Sequence, residues 1–294
     1  MQTPGRLYIV ATPIGNLDDI TLRALHILKT VDVIAVEDTR HSGKLLQHFD
    51  ISTPMISLHD YNEKQRTAFI LKKLQAGENV ALISDAGTPL ISDPGYILVK
   101  AAQEAGLKVS PIPGACAAIA ALSASGLPSD QFLFLGFLPH KTVARQKKLQ
   151  ELLHESRTVI FYEAPHRILE LLEDMIVILG ENRQAVLAKE LTKTFETLYS
   201  GSLLDIGNWL KSNSQHQKGE FVILVRGVDL ISDAQLNAQA EKVLKILLKE
   251  LPSKQAIKLA VEITGLKKNL LYKKAMLEEG KGSGHLEKGS GLDI

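Results

Sequence analysis

The chain has 294 residues, 45% hydrophobic and 23% charged, with a net charge of +1. That is ordinary globular composition, long enough for two domains or slightly more, and its near-neutral charge excludes a polyelectrolyte; any nucleic-acid surface must be a local patch. The single cysteine, Cys116, excludes an internal disulfide and a cysteine-built zinc site and fits a reducing compartment. Met1 to Arg6 carries no signal-peptide pattern, and every apolar stretch is far shorter than the roughly 20 residues of a membrane helix, so a cytoplasmic protein without a membrane partner is expected.

In chain order, Arg6 to Ala11 reads as the first strand, followed by a Thr12-to-Asp19 loop. Ile20 to Lys29 reads as a helix capped by Asp18 or Asp19, Val31 to Val36 as a strand, Ser42 to Phe49 as a short helix and Met55 to Leu58 as a strand. Glu63 to Gln75 is an amphipathic helix closed by Gly77, and Val80 to Ile83 is an apolar run typical of a buried parallel strand. Tyr96 to Ala105 is a helix ended by Gly106, Lys108 to Ile112 a strand, and Ala115 to Ser125 a small-residue helix. This alternation predicts a mostly parallel sheet covered on both faces.

A second α/β unit follows. Its strands are expected at Phe132 to Phe137, Thr158 to Tyr162, Ala185 to Leu191, Thr197 to Ser200 and Glu220 to Val225. Helices are expected at Lys141 to Ser156, Ile168 to Leu179 and Leu203 to Lys211, the first of them basic. Beyond Ala234 the character changes, and residues 241–281 hold ten lysines against five glutamates. Leu251-Pro252-Ser253 and Thr264-Gly265 break this region into helices, the last at Lys267 to Glu278. The spacing is that of a helix-turn-helix whose Lys267, Lys268, Lys273 and Lys274 could meet phosphates, but as a lone signal it reads rather as a small helical cap with a solvated lysine face. These patterns divide the chain into residues 1–117 and 118–228 as α/β domains, 234–280 as a basic helical module and 281–294 as a flexible glycine-rich tail.

Three strand ends carry Gly and Pro: Pro13 to Asn16, Asp85 to Gly95, and Pro113 to Ala115. In an open α/β sheet, ligands bind at the carboxyl ends of the strands. Neither G-x-G-x-x-G nor a P-loop is present, which disfavours an ordinary dinucleotide or nucleoside-triphosphate fold. Ser84-Asp85-Ala86-Gly87-Thr88-Pro89-Leu90-Ile91-Ser92-Asp93-Pro94-Gly95 is the richest of the three, and it admits two readings. It is a ligand loop with carboxylate acceptors, or a tight connection with capping aspartates.

Tyr8-Ile9-Val10-Ala11-Thr12-Pro13-Ile14-Gly15-Asn16-Leu17-Asp18-Asp19-Ile20-Thr21 resembles the amino-terminal signature of the tetrapyrrole-methylase-like superfamily. With Glu37-Asp38-Thr39-Arg40, the Ser84-to-Gly95 loop, Pro113-Gly114-Ala115, Phe161-Tyr162-Glu163-Ala164-Pro165-His166-Arg167 and Lys189-Glu190-Leu191-Thr192-Lys193, it resembles more narrowly the bacterial small-subunit ribosomal RNA cytidine 2′-O-methyltransferases. The resemblance covers about residues 6–226 and, more loosely, the lysine-rich helices. It implies an α/β, two-domain fold with S-adenosylmethionine in the cleft between domains, a homodimer, and methylation of a cytidine ribose in 16S rRNA near the decoding centre, within the assembled small subunit.

Carried over by position, the resemblance gives a cofactor rim of Pro13 and Ile14, then Asp85, Gly87, Thr88 and Pro89, with Ala115 and Cys116 at the domain junction and Tyr162 from the second domain. Cys116 reads as a small wall residue rather than a nucleophile. Glu163, His166 and Lys189 are the candidate catalytic group, since a ribose hydroxyl is a weak nucleophile helped by a base or a nearby cation. The competing assignment is helix capping and an ion pair for Glu163 and Arg167, and a structural ion pair for Lys189. Arg40, Arg145, Lys147, Lys148, Arg167 and Lys193 are the candidate RNA contacts. The rival functions are a precorrin-type methyltransferase of the same fold, a non-catalytic RNA-binding or assembly protein, and a flavodoxin-like nucleotide protein.

Overall fold

The computed structural model describes residues 3–59, 61–229, 233–266, 270–272 and 275. The chain forms two compact units, Met1–Val228 and Asp229–Ile294. The first half of the larger unit runs β1 (Arg6–Val10), α1 (Leu22–Thr30), β2 (Val33–Val36), α2 (Thr39–His48), β3 (Met55–Ser57), α3 (Glu63–Gln75), β4 (Val80–Ile83), α4 (Tyr96–Glu104) and β5 (Lys108–Ile112). Its strands pair in the order β3-β2-β4-β1-β5, all parallel. β2 and β4 are buried along their whole length, as β-branched and aliphatic runs require when helices cover both faces. One face packs Leu7, Val33, Leu82 and Leu98, and the other packs Val10, Leu28, Ile34 and Ile83.

α5 (Ala117–Ser125) leads into the second half: β6 (Phe132–Phe137), α6 (Thr142–Gln150), β7 (Thr158–Glu163), α7 (Ile168–Leu179), β8 (Gln184–Lys189), β9 (Thr197–Ser202), α8 (Leu203–Ser212) and β10 (Phe221–Val225). These strands form a second sheet in the order β6-β7-β10-β8-β9. Only β6 and β7 run parallel; the other three pairs are antiparallel. α5 covers one face, where Ala118, Ala121 and Leu122 meet Ile160, Val186 and Leu224. Its small residues let helix and sheet approach closely. The opposite face packs Phe161, Phe221 and Ile223 against Leu149, Leu171 and Leu210.

Several element boundaries differ from expectation for local reasons. α1 is capped by Thr21, whose hydroxyl accepts from Ala24 N, while Asp18 and Asp19 belong to a separate 3-10 turn. α2 begins at Thr39 because the Asp38 carboxylate accepts from Arg40 N and caps it earlier than expected. α6 stops at Gln150, and the chain turns through Leu152 and Leu153 before β7.

In the smaller unit, α9 (Asp233–Glu250) and α10 (Ser253–Thr264) pack Leu244 against Ala256, Ile257 and Ala260, with Leu271 and Ala275 joining the same core. Gly265, at φ +69°, ends α10. Most of the expected Lys267-to-Glu278 helix, with Lys267, Lys268, Lys273 and Lys274, and the whole tail lie outside the described residues. No helix among the described residues is long and apolar enough to cross a membrane.

Arg145 corrects an expectation. On α6 it reads as a surface cation, yet it is 2% exposed, with its Nε 2.5 Å from Asp174 Oδ2 on α7. Gln146 Nε2 donates to the other Asp174 oxygen at 2.7 Å. Arg145 joins α6 to α7 and is not available to RNA. Arg145→Ala leaves the Asp174 carboxylate buried without its cation, and we expect urea unfolding to show a loss of about 3–5 kcal/mol. The double change Arg145→Met with Asp174→Leu should recover most of it.

Candidate functional site

The three glycine- and proline-bearing loops meet because β4, β1 and β5 are adjacent and parallel, so their carboxyl ends share one edge. Thr12 and Gly87 exchange two backbone hydrogen bonds, at 2.8 Å and 3.0 Å. Thr12 Oγ1 also donates to Ser84 O at 3.2 Å, and Thr88 Oγ1 donates to Ala115 O at 2.9 Å. Gly87 has φ +82°, and a Cβ there would lie 3.4 Å from Ile14 Cγ2. The loop after β4 also holds Leu90 and Ser92 at φ +73°, a conformation that costs side-chain-bearing residues energy.

What holds this strained loop is Glu63, 6% exposed on the first turn of α3. Its Oε1 accepts from Gly95 N at 3.0 Å and Ile97 N at 2.9 Å, capping α4 from a different helix. Gly95 itself has no side chain to do so, and its φ of +128° with Leu82 Cδ2 2.7 Å from a built Cβ demands glycine. Nothing in the sequence near Gly95 signals Glu63, since the two are 32 residues apart.

Between this edge and the second sheet lies a cavity of about 470 Å³, within the range of about 300–1,000 Å³ usual for small-molecule sites. The first half contributes Ile14, Asp85, Gly87, Thr88 and Cys116, all expected from the sequence, and Tyr162 comes from the second sheet. Pro13 and Pro89 are buried behind the wall, and Ala115 acts through its carbonyl on Thr88. Asp93, the loop's second expected carboxylate acceptor, also lines the cavity, and Glu37 and Ser92 add polar groups that the sequence does not single out as ligands. Asp85 Oδ1 accepts from Asp38 N at 3.2 Å, which fixes the carboxylate at the mouth of the loop.

Tyr162 Oη accepts from Ala118 N at 3.0 Å and so caps α5, whose own cap residue Cys116 provides no such bond. Burial, reinforced by Cys116, pushes the Tyr162 phenol well up, so it stays protonated. Phe134 and Phe137 meet its ring edge-on, with centroids 5.0 Å and 5.7 Å away.

Glu163, at the carboxyl end of β7, lines the cavity but is 2% exposed. Its Oε1 accepts from Ala164 N at 2.9 Å, and its Oε2 lies 3.5 Å from Arg167 Nη2 without a hydrogen bond. Glu163 and Lys189 both pair with Phe221 of β10 and so share one sheet face. Lys189 is buried outside the cavity wall, and His166 is exposed and also outside it. Glu220 on the wall links to Lys193, whose ammonium reaches Glu190 and Glu220, each at 2.9 Å. Burial alone would raise Glu190, but the Glu220 N–H and the Lys193 ammonium outweigh it and hold its carboxyl below the usual range.

Arg167 is a second correction. It is 6% exposed, and its Nη2 donates to Leu138 O at 2.8 Å and Pro139 O at 3.2 Å. A guanidinium so enclosed pins the loop after β6 and cannot meet a phosphate. Arg40, Lys147 and Lys148 are exposed, Arg40 beside Asp38 at 3.1 Å and Lys148 beside Glu151 at 2.6 Å.

The family model for tetrapyrrole (corrin/porphyrin) methylases matches residues 6–207, and that for the RsmI C-terminal HTH domain matches residues 234–279. The chain is 55% identical over 281 residues to ribosomal RNA small subunit methyltransferase I of Pseudomonas aeruginosa, covering 95% of this chain and 100% of that one. The chain belongs to this methyltransferase family. The Vibrio cholerae member is 58% identical over 267 residues, covering 91% and 93% of the two chains. A solved cobalt precorrin-4 methyltransferase shares the fold, with a TM-score of 0.57 and 17% identity over 75% of this chain and 94% of its own.

Removing the Glu63 carboxylate leaves the buried Gly95 N–H and the part-buried Ile97 N–H unpaired. Glu63→Ala should lower unfolding free energy by about 1–3 kcal/mol and expose the loop after β4 to limited proteolysis. Glu63→Gln, which keeps an acceptor, should recover more than half of the loss in the same urea titration.

Proposed function

We propose that the protein transfers a methyl group from S-adenosylmethionine to the 2′-hydroxyl of a cytidine in 16S ribosomal RNA, near the decoding centre. Its substrate in this reading is the assembled small subunit, and it acts as a cytoplasmic homodimer. The observation that carries the reading is identity above half, over nearly the whole length, to relatives named ribosomal RNA small subunit methyltransferase I.

The cavity suits the donor. Carboxylates at Asp85, Asp93 and Glu37 match an ammonium and ribose hydroxyls, and Ile14, Cys116 and Tyr162 offer a largely apolar wall. Gly87 lets the donor approach the backbone, while Pro13, Pro89 and Ala115 shape the rim from behind. When bound, S-adenosylmethionine supplies an electrophilic methyl on a sulfonium. The chain's own contribution is mainly alignment, for which rigid loops of this kind can supply about 7–11 kcal/mol. Glu163, His166 and Lys189 are the proposed catalytic group; Glu163 lines the cavity, and Lys189 lies two strands away in the same sheet row, with Phe221 between them. Arg40, Lys147, Lys148 and Lys193 are the proposed phosphate contacts, giving salt-dependent and largely sequence-blind attraction.

Calorimetric titration should show S-adenosylmethionine binding, and mass spectrometry of 16S rRNA should show one ribose methyl group lost in cells lacking the protein. An unchanged methylation map would overturn the assignment. Glu163→Ala and Lys189→Ala, assayed at saturating donor, should each lower turnover by about 10²–10⁴-fold if they handle the proton. Wild-type turnover in both variants would remove them from the chemistry.

A further inference from the structure

We propose that Phe137 is the platform on which the extruded base of the target nucleotide stacks. The inference rests on the proposed methyl transfer to RNA and names how that substrate is held.

The observation is a break in strand register. Phe134 pairs with Ile160, but the next pairs are Gly136 with Phe161 and Phe137 with Tyr162, so two residues of β6 oppose one step of β7. Without the bulge, Gly136 would face Tyr162 and Phe137 would face Glu163 on the other side of the sheet. Bulges beside active sites commonly re-aim a side chain. Here the bulge places an aromatic ring on the Tyr162 face, at the cavity wall. Gly136 makes it possible: its φ is +61°, and a Cβ would sit 2.8 Å from Ser92 Oγ of the loop after β4.

The ring is then left 53% exposed, although Tyr162 covers one edge. Phe137 lines the same cavity as the Asp85 loop and Cys116, where the donor is proposed to sit, and it offers a π-face with no protein ring stacked on it among the described residues. The chain leaving it carries exposed His140 and Lys141, fitting a nucleotide's phosphates. Arg167 fixes that exit through the Leu138 and Pro139 carbonyls, which keeps the ring in place. RNA bases splayed from single-stranded loops are held by such aromatic faces.

The test uses the full-length protein, small subunits from cells lacking it and donor labelled with tritium in its methyl group. Phe137→Ala and Phe137→Leu should each lower kcat/KM for the subunit by between about 5- and 150-fold, the range expected for one base–aromatic stack. Part of the loss should appear as a raised KM. Phe137→Trp should restore it, and the donor Kd from calorimetry should stay within about twofold throughout. Wild-type kcat/KM in the alanine and leucine variants overturns the inference while leaving methyl transfer intact. A donor Kd that rises in step with the loss assigns the ring to the donor instead. A change of sedimentation coefficient with Phe137→Ala assigns it to a contact between copies. A wild-type protein that methylates no RNA overturns the underlying reading and this inference together.

Discussion

The pairing of Thr12 with Gly87 is the constraint on which the site depends. It continues the β1–β4 ladder past the ends of both strands, but in antiparallel sense, by turning one loop back on the other. Two adjacent parallel strands would otherwise let their exits diverge. Tied together, and tied again to the loop after β5 through Thr88 and Ala115, the three loops form one rigid rim. Thr12 is 1% exposed, so these bonds are shielded from competing water.

The two sheets contribute unlike things. The first is wholly parallel and offers backbone, glycine and carboxylates at its edge. The second is mostly antiparallel and offers side chains: Tyr162, Phe137 and Glu163 near the end of one strand pair. Contacts between the two are close. A Cβ on Gly15 would lie 2.5 Å from Lys193 Cγ, and one on Gly136 would meet Ser92. Glycines at these crossings let the rim of one sheet touch the loops of the other, which keeps the cavity small enough to grip a small molecule.

Much of this was legible in the sequence. The aliphatic and β-branched runs identified the strands, and the glycine and proline clusters marked the rim, because both signals are local. The mixed direction of the second sheet was not legible, since strand direction there depends on which distant strands pair. Arg145 and Arg167 read as surface charge because their partners, Asp174 and the Leu138 and Pro139 carbonyls, lie about thirty residues away in sequence. Glu63 was passed over for the same reason, and Phe137 because a bulge, invisible as a pattern, reverses the face on which it points. Lys189 and His166 were placed near the site by motif, but folding sets one beneath the wall and the other outside it.

The Glu63 clamp has a thermal consequence. First turns of helices fray at lower free-energy cost than a core unfolds, and the carboxylate that steadies the strained loop belongs to such a turn. On warming, α3 can therefore release Gly95 and Ile97 while both sheets stay intact. The capacity to hold a small ligand then fades some degrees below the melting point of the fold, and a saturating ligand closes that gap by binding only the clamped form.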